Sequence, residues 1–407
     1  MRATVTAKIE AVTPKGDEGL LVEFLKTYRD SVQLVINEIW GLDKTPSWTE
    51  LHTMFYNRLV KYGFRAHHVS EIYRRAKEVV ESTRKNNGSK PILRKLTARI
   101  HTLDYKLDLD KKTIKMAVLH DKWVELKLEW YSYLNKYLDG SWKPGEILLS
   151  YRYGRILVYI TFHRDVVPRE PRVVMGVDLN FNNITYTIID LNSNLVSMGV
   201  IPFRGLSRAL HYRKLAEKLQ RKHPKNWRFL KWARRIRARW LSRARNILVD
   251  SAHYVSKRLV EVAREYNAVI VFEDLEEIKR NNNGGGKRLS WMKPLWCYQR
   301  IQEYTEYKAL LEGIKTIYVN PAKTSKKSPN NRKIKFINYR FVELGDTVTS
   351  RDVVASWNLA LRGLKQMRGS RVTWSPDSPR SEAMKTRAKR GNPEARKYLK
   401  ASTAIHK

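Results

Sequence analysis

Two apolar runs end directly on acids: Val173-Val174-Met175-Gly176-Val177 leads into Asp178, and Val269-Ile270-Val271-Phe272 leads into Glu273. Short continuous apolar runs bounded by turn residues read as buried strands. A carboxylate at the end of such a strand is disfavoured unless something there uses its charge. Around these runs the pattern is α/β. After the stiff linker Pro168-Arg169-Glu170-Pro171 come strands over 173–179, 184–190 and 195–202 and a long basic helical region from about Leu206 to Tyr266. Strand 268–272, helix 296–312 and strand 315–319 follow. A last helix over about 352–364 opens on a third acid, Asp352, for which an N-cap is the bland role.

The first part of the chain has different periods. Arg2–Val12 alternates apolar and polar residues, as a strand does. From Asp17, Leu20, Leu21, Phe24, Leu25, Tyr28, Val32, Val35, Ile36 and Ile39 fall on one helical face, and further helices follow to about Lys85. Residues 84–91 read as a turn. Period two then returns over 99–107, 113–118, 123–130, 147–153 and 155–163, which predicts an antiparallel β-unit of barrel type. If the first strand joins that unit, the helices at 17–90 are an insertion in it. Residues 365–407, polar and basic, read as a mobile tail, and 281–286 (Asn-Asn-Asn-Gly-Gly-Gly) as a flexible lid or linker.

At 407 residues the chain is long enough for two or three domains, and 79 Lys and Arg against 40 Asp and Glu leave a formal charge of +39. Such a surplus repels itself unless a polyanion, most simply nucleic acid, is the partner. With 42% hydrophobic and 11% aromatic residues the chain is not a wholly disordered basic tail protein. A single cysteine, Cys297, excludes a disulfide framework and a thiolate zinc site. No apolar stretch reaches the roughly 18 residues of a membrane span, and no leader pattern opens the chain, so a cytoplasmic protein without a membrane partner is expected.

Cations crowd residues 204–245, among them Arg213, Lys214, Arg221, Lys222, Arg228, Arg234, Arg235, Arg237 and Arg239, with almost no acids between them. A charge run is usually a solvated face, but here the missing acids favour nucleic-acid contact. Trp227, Trp232 and Trp240 lie in the run, and most of them are expected to anchor helices to the core. A smaller group, Arg74, Arg75 and Lys77, lies on the early helices. Near it, His67-His68 reads as an ordinary surface pair.

The order strand, hairpin, helix, strand, with acids closing two strands and a third on a later helix, matches a ribonuclease-H-like arrangement. Three converging carboxylates hold two metal ions roughly 3.5–4 Å apart, one activating water and one stabilising the leaving 3′ oxygen. Oxygen ligands favour Mg²⁺ or Mn²⁺ over Zn²⁺. Capping and surface roles are the alternative. Asp274, Glu276 and Glu277 also leave the choice of Glu273 open on pattern alone.

Gly176-Val177-Asp178-Leu179 with Asn183, Phe272-Glu273-Asp274-Leu275, and Arg351-Asp352-Val353-Val354-Ala355-Ser356-Trp357-Asn358-Leu359-Ala360 together resemble the three RuvC motifs of the OrfB/TnpB family of insertion-sequence proteins. Lys323-Thr324-Ser325 is similar to that family's segment before its zinc ribbon. The resemblance covers about 172–363 and implies an α+β multidomain chain. Its parts would be a wedge β-barrel (1–16 plus 91–167), an inserted helical recognition domain (17–90), a RuvC-like nuclease domain (172–364) with a degenerate ribbon at about 324–350, and a basic tail (365–407). It also implies RNA-guided, Mg²⁺- or Mn²⁺-dependent DNA cleavage with Asp178, Glu273 and Asp352 as metal-binding catalytic acids. The implied partners are a guide RNA from the element end and double-stranded target DNA with a flanking motif, read near the early helices and the barrel.

The chain departs from that family in two regions. Its four ribbon cysteines are replaced by Ser328, Asn331, Phe341 and Leu344, so no zinc is expected and 328–349 must form a hairpin packed by Ile334, Phe336, Ile337, Tyr339, Phe341 and Val342 or be mobile. Asn180 stands where relatives have Gly, and its tolerance of left-handed backbone is expected to preserve the turn. A guide-dependent DNA-binding protein without cleavage is the rival reading, against which the three retained acids argue. A strand-transferring transposase ranks last, for want of a His-hydrophobe-His motif with a candidate Tyr nucleophile.

Overall fold

A computed structural model describes residues 1–13, 17–274, 297–322, 324–329, 334–338, 340–344 and 347–369. The chain is an α+β multidomain protein in two compact units, one over Arg2–Asp165 and one beginning at Val166. The flexible loop expected at 281–286 and the tail beyond 369 lie outside the described residues. Among the described residues no helix is long and apolar enough to cross a membrane.

In the first unit, β1 (Arg2–Val12) is followed by α1 (Asp17–Trp40), α2 (Trp48–Val60) and α3 (Ala66–Lys85). β2 (Leu96–Ile100), β3 (Tyr105–Asp108), β4 (Thr113–Ala117), β5 (Trp123–Leu128), β6 (Lys143–Arg152) and β7 (Arg155–Asp165) then complete a curled antiparallel sheet of order β2-β6-β7-β1-β5-β4-β3. β1 lies in its middle, registered with β7 from Arg2↔Asp165 to Ala11↔Ile156. The first strand therefore joins the sheet, and three helices interrupt that sheet in sequence. The stretch 99–107 is not one strand. It breaks at Thr102–Asp104, where the His101 ring accepts the Leu103 N–H at 3.3 Å.

α1 buries the expected stripe from Leu21 to Ile39, while Leu20 stays partly exposed. α2 starts on a capping box, with Ser47 Oγ accepting the Glu50 N–H and Glu50 Oε2 accepting the Ser47 N–H at 2.6 Å. The turn expected from Arg84 begins later, because Arg84 stays helical and its guanidinium donates to the carbonyls of Trp40 (2.8 Å) and Leu42 at the C-terminus of α1. Cations are favoured at that negative helix end.

The second unit holds β8 (Val173–Leu179), β9 (Asn183–Asp190), β10 (Leu195–Pro202), β11 (Ala268–Glu273) and β12 (Thr316–Val319) in the order β10-β9-β8-β11-β12. β11 runs parallel to β8 and β12, and the β8–β9 and β9–β10 pairs are antiparallel. α4 (Leu206–Lys222), α5 (Lys231–Glu265) and α6 (Tyr298–Leu311) cover one face of this sheet through Ala209, Leu248, Val255, Leu259 and Ile301. α7 (Arg351–Gly369) covers the other through Leu359, Ala360 and Leu364. The helical region expected over about 206–266 is two helices, separated by turns at 223–230. The last helix outruns its expected end, so 365–369 are helical and not tail.

Gly176 shows how tightly α7 sits. A Cβ at this position would lie 2.4 Å from the Ala360 backbone nitrogen and also collide with the Ser356 carbonyl oxygen. One turn on, Gly363 does the same for the side chain of Val271. Glycine in this strand permits backbone-to-backbone approach. Thr187 on β9 and Ser356 on α7 share a hydrogen bond of 2.7 Å across the same seam.

The expected hairpin at 328–349 is a three-stranded sheet of β13 (Lys335–Phe336), β14 (Phe341–Leu344) and β15 (Thr347–Ser350). Only part of its expected core packs. Ile334 and Val342 join Val354 of α7, but Phe336, Ile337 and Phe341 are each nearly half exposed. In β14 the inward positions are Val342 and Leu344, and both residues of the two-residue β13 stay exposed. Tyr339 and Asn331 lie outside the described residues.

Candidate active site

Strand parity determines which side chains meet, since successive residues point to opposite faces. Met175, Val177 and Leu179 of β8 and Ile270 and Phe272 of β11 face the α4–α6 side. Val174 on β8 and Val269 and Val271 on β11 therefore face α7, and Asp178 and Glu273 continue those rows. Phe272 is registered with Val177, so the two acids close adjacent strands on one face. α7, packed on that face, carries Asp352 in its first turn. Asp352 is not the N-cap, because Ser350 Oγ accepts the Asp352 N–H at 3.2 Å and so takes that role. Asp274 lies one residue past β11, with its N–H on the Val319 carbonyl at 2.8 Å.

The three carboxyls form one acidic locus. Burial, then the Glu273 charge, then that of Asp352, push Asp178 up to about 8, against the Asn180 amide and Arg351. Burial also raises Glu273, against the Thr324 hydroxyl and Arg362. Asp352 is raised by burial too, with Arg351, Asn180 and Arg340 opposing. Asn180 Nδ2 donates to Asp178 Oδ2 at 2.7 Å, and Thr324 Oγ1 donates to Glu273 Oε1 at 3.2 Å.

Asn180, a turn residue by sequence, is thus a hydrogen-bonding side chain between two acids. It is not among the residues with positive φ, so its tolerance of left-handed backbone goes unused. Further supports come from Asn358, within the last motif, and from Gln302, outside every motif. Asn358 Nδ2 donates to the carbonyls of Thr324 and Lys327, each at 2.7 Å, and Gln302 Nε2 donates to the Glu273 carbonyl at 2.8 Å.

Among the described residues, no three His, Cys, Asp or Glu side chains already stand in ligating positions around one point. The chemistry of the donor set nevertheless fits a divalent hard cation. Three deep-set carboxyls that resist ionising together are a concentration of negative charge that Mg²⁺ or Mn²⁺ neutralises, and all the donors are oxygens.

Residues 298–359 match the family described as Cas12f1-like, TNB domain. The TnpB-like protein MJ0751 of Methanocaldococcus jannaschii is 30% identical over 264 residues, which cover 63% of this chain and 91% of that protein. The chain belongs to the TnpB family. The CRISPR-associated endodeoxyribonuclease Cas12f2 of a Micrarchaeota archaeon is 33% identical over 94 residues, 23% of this chain and 17% of that protein. In fold, the chain is similar to the protein in a cryo-EM structure of a Cas12f1-sgRNA-target DNA complex, with a TM-score of 0.57 at 12% identity over 88% of this chain and 99% of that one.

This TnpB chain holds no cysteine within the matched 298–359, and Cys297 just before it is buried. Elemental analysis after chelator washing should therefore find no stoichiometric zinc. One tightly held zinc per chain would overturn this and direct attention to histidines. His68 is not the surface residue expected. It is fully buried, with Nε2 3.7 Å from Oδ2 of the equally buried Asp104, and burial lowers it to about 4. His67 is more exposed and stacks on His101 at 4.7 Å.

The cations named from the TnpB sequence divide into two groups. In the first unit each has a partner within the protein: Arg74 pairs with Glu71 at 2.9 Å, Arg75 lies 3.9 Å from Glu78, and Lys77 rests over the Trp48 ring. In the second unit, Arg213 and Arg221 flank Glu217, whereas Lys214, Lys222, Arg228, Arg234, Arg235 and Arg239 are exposed. Arg237 lies over Trp227 at 4.7 Å. If the exposed group tracks phosphates, replacing Arg234, Arg235 and Arg239 with Gln flattens the salt dependence of DNA binding by roughly 0.9 in log–log slope per lost contact, equally for all sequences. An unchanged slope in a folded variant would show a merely solvated face, and an altered target preference would mean that these residues read bases.

Proposed function

We propose that this TnpB-family chain is an RNA-guided DNA endonuclease of a mobile element, cutting at a RuvC-like, ribonuclease-H-like site built from Asp178, Glu273 and Asp352. The observation that carries the reading is the single acidic locus: Asp178 and Glu273 close two adjacent strands, and burial, then the charges of Glu273 and Asp352, push up Asp178. Those three carboxylates would hold Mg²⁺ or Mn²⁺, which when bound supplies an activated water and stabilises the leaving 3′ oxygen. The protein's own contribution is to fix the ligands: Asn180 holds Asp178, Thr324 holds Glu273, and Ser350 fixes the backbone of Asp352.

A charge of +39 supports polyanionic partners. The endodeoxyribonuclease name of the Cas12f2 relative and the guide RNA and target DNA of the Cas12f1 complex support the same reading. In it, the curled sheet (1–16 plus 91–167) is the wedge, 17–90 the recognition helices and 172–364 the nuclease. Guide pairing then selects the sequence, and the protein reads backbone shape and a short flanking motif. The setting is the cytoplasm of a prokaryotic cell.

Sequencing the RNA that copurifies with the chain should return one guide species from the element end, and a matched DNA with flanking motif should be cut in Mg²⁺ and not in EDTA. Copurifying RNA of random origin overturns the proposal. Binding of the matched target without cutting transfers it to the guide-dependent DNA-binding alternative.

A further inference from the structure

The turn between α4 and α5 presents aromatic rings to water in the most cationic part of the molecule. Phe229 is 81% exposed and Trp232 48% exposed. Against the expectation that these tryptophans are mostly core, Trp227 and Trp240 are only partly buried. Residues 223–230 leave the helix, so Trp227 has no helix face to anchor. Its ring instead carries the guanidinium groups of Arg237 at 4.7 Å and Arg228 at 5.5 Å. Trp232 is braced edge-on by His223 at 5.4 Å and 89°. The turn is ordered by backbone hydrogen bonds from Trp227 to His223 (3.0 Å) and from Phe229 to Asn226 (2.9 Å). Between Glu217 and Asp250 the sequence holds twelve Lys and Arg and no acid.

We propose that this tip, with Phe229 and Trp232 as its stacking rings, binds an unpaired nucleic-acid strand. The cations select a polyanion. The rings select one whose base faces are free, because in a duplex those faces are already covered by their neighbours, whereas a single strand offers phosphate and π-face together. Trp227, clamped by two guanidinium groups, sets the turn that holds Phe229 outward. The inference rests on the nucleic-acid side of the proposed function and on none of its cleavage chemistry, so the two can fail separately.

The test uses the full-length chain, freed of RNA by high salt and without metal, titrated with fluorescent oligodeoxythymidine, oligouridine and a DNA duplex of the same length. Phe229→Ala and Phe229→Leu, each combined with Trp232→Ala, should weaken single-strand binding by roughly 5- to 100-fold, with duplex binding and the salt slope unchanged. Phe229→Tyr, which keeps the ring, should bind as the parent does. The single strand that suffers the larger loss, DNA or RNA, identifies the source. Equal affinities for all variants, or a parallel loss on duplex, overturns the proposal. Because Phe229 is exposed, the Phe229→Leu and Phe229→Tyr chains should melt with the parent, which separates lost stacking from lost fold.

Discussion

Asp178→Ala, Glu273→Ala and Asp352→Ala should each reduce cleavage of a guide-matched target by about 10³-fold or more, with guided binding kept within a few-fold. On the proposed mechanism each would remove an oxygen ligand from the one acidic locus, and a metal's stabilisation of the transition state is worth several kcal/mol, at roughly 1.4 kcal/mol per tenfold in rate. None of the three acids is suited to contact phosphate, since a carboxylate repels it. Asp274→Ala is the control. It lies one residue past β11 and so leaves the row that Glu273 continues. Cleavage rates and gel shifts on the same preparations separate the two effects. Full cleavage by any one alanine variant would remove that residue from the site, and an Asp274→Ala chain as inactive as Glu273→Ala would undo the assignment by strand parity.

In metal-free protein, Asp178→Asn should raise stability at pH 8–9 and change it little near pH 4. The sign follows from the direction of the shift. The Asp178 carboxyl takes its proton at about 8 when folded and near 3.8 when unfolded. Between those values the native state holds the extra proton, so its stability falls as pH rises through the window and levels off above about 8. Asn has no proton to lose, and its amide oxygen can still accept from Asn180. The gain should grow to a few kcal/mol, about 5–10 °C in melting temperature for a unit of this size. Mg²⁺ should raise the parent's melting temperature at pH 8 by binding only the folded state, and should act much less on the variant. Parallel melting curves from pH 4 to 9 for the two chains would show that Asp178 does not bear the repulsion.

The sequence placed β8 and β10 to the residue, because an apolar run and an alternating run are each bounded by turn residues that stop the pattern. The sequence pattern of α7 falls short of its end because the apolar stripe fades after Leu364, yet Lys365-Gln366-Met367-Arg368 contains only good helix formers and nothing stops the helix before Gly369. The break at 102–104 was out of reach, since it depends on one ring nitrogen of His101. At the site, the parity of Val269, Val271 and Glu273 was already in the sequence. What parity means there became visible only once the register put Phe272 beside Val177. Asn180 could not be read as a donor, because one of the acids it serves lies in a helix more than 170 residues away.

The seam between Gly176 and α7 bears on how such a chain can drift. The atoms that a Cβ at position 176 would strike are the carbonyl of Ser356 and the backbone of Ala360, which every amino acid carries. No side-chain exchange on the helix can make room, so a larger residue at 176 has no single-residue suppressor in α7. Only displacement of the whole helix would relieve the clash, and Asp352, one turn before Ser356, would travel with it. The conflict at Gly363 is of another kind, because there the obstacle is the side chain of Val271. A second-site revertant screen should therefore recover Gly363→Ala through smaller residues at 271 and return nothing for Gly176→Ala except the original glycine.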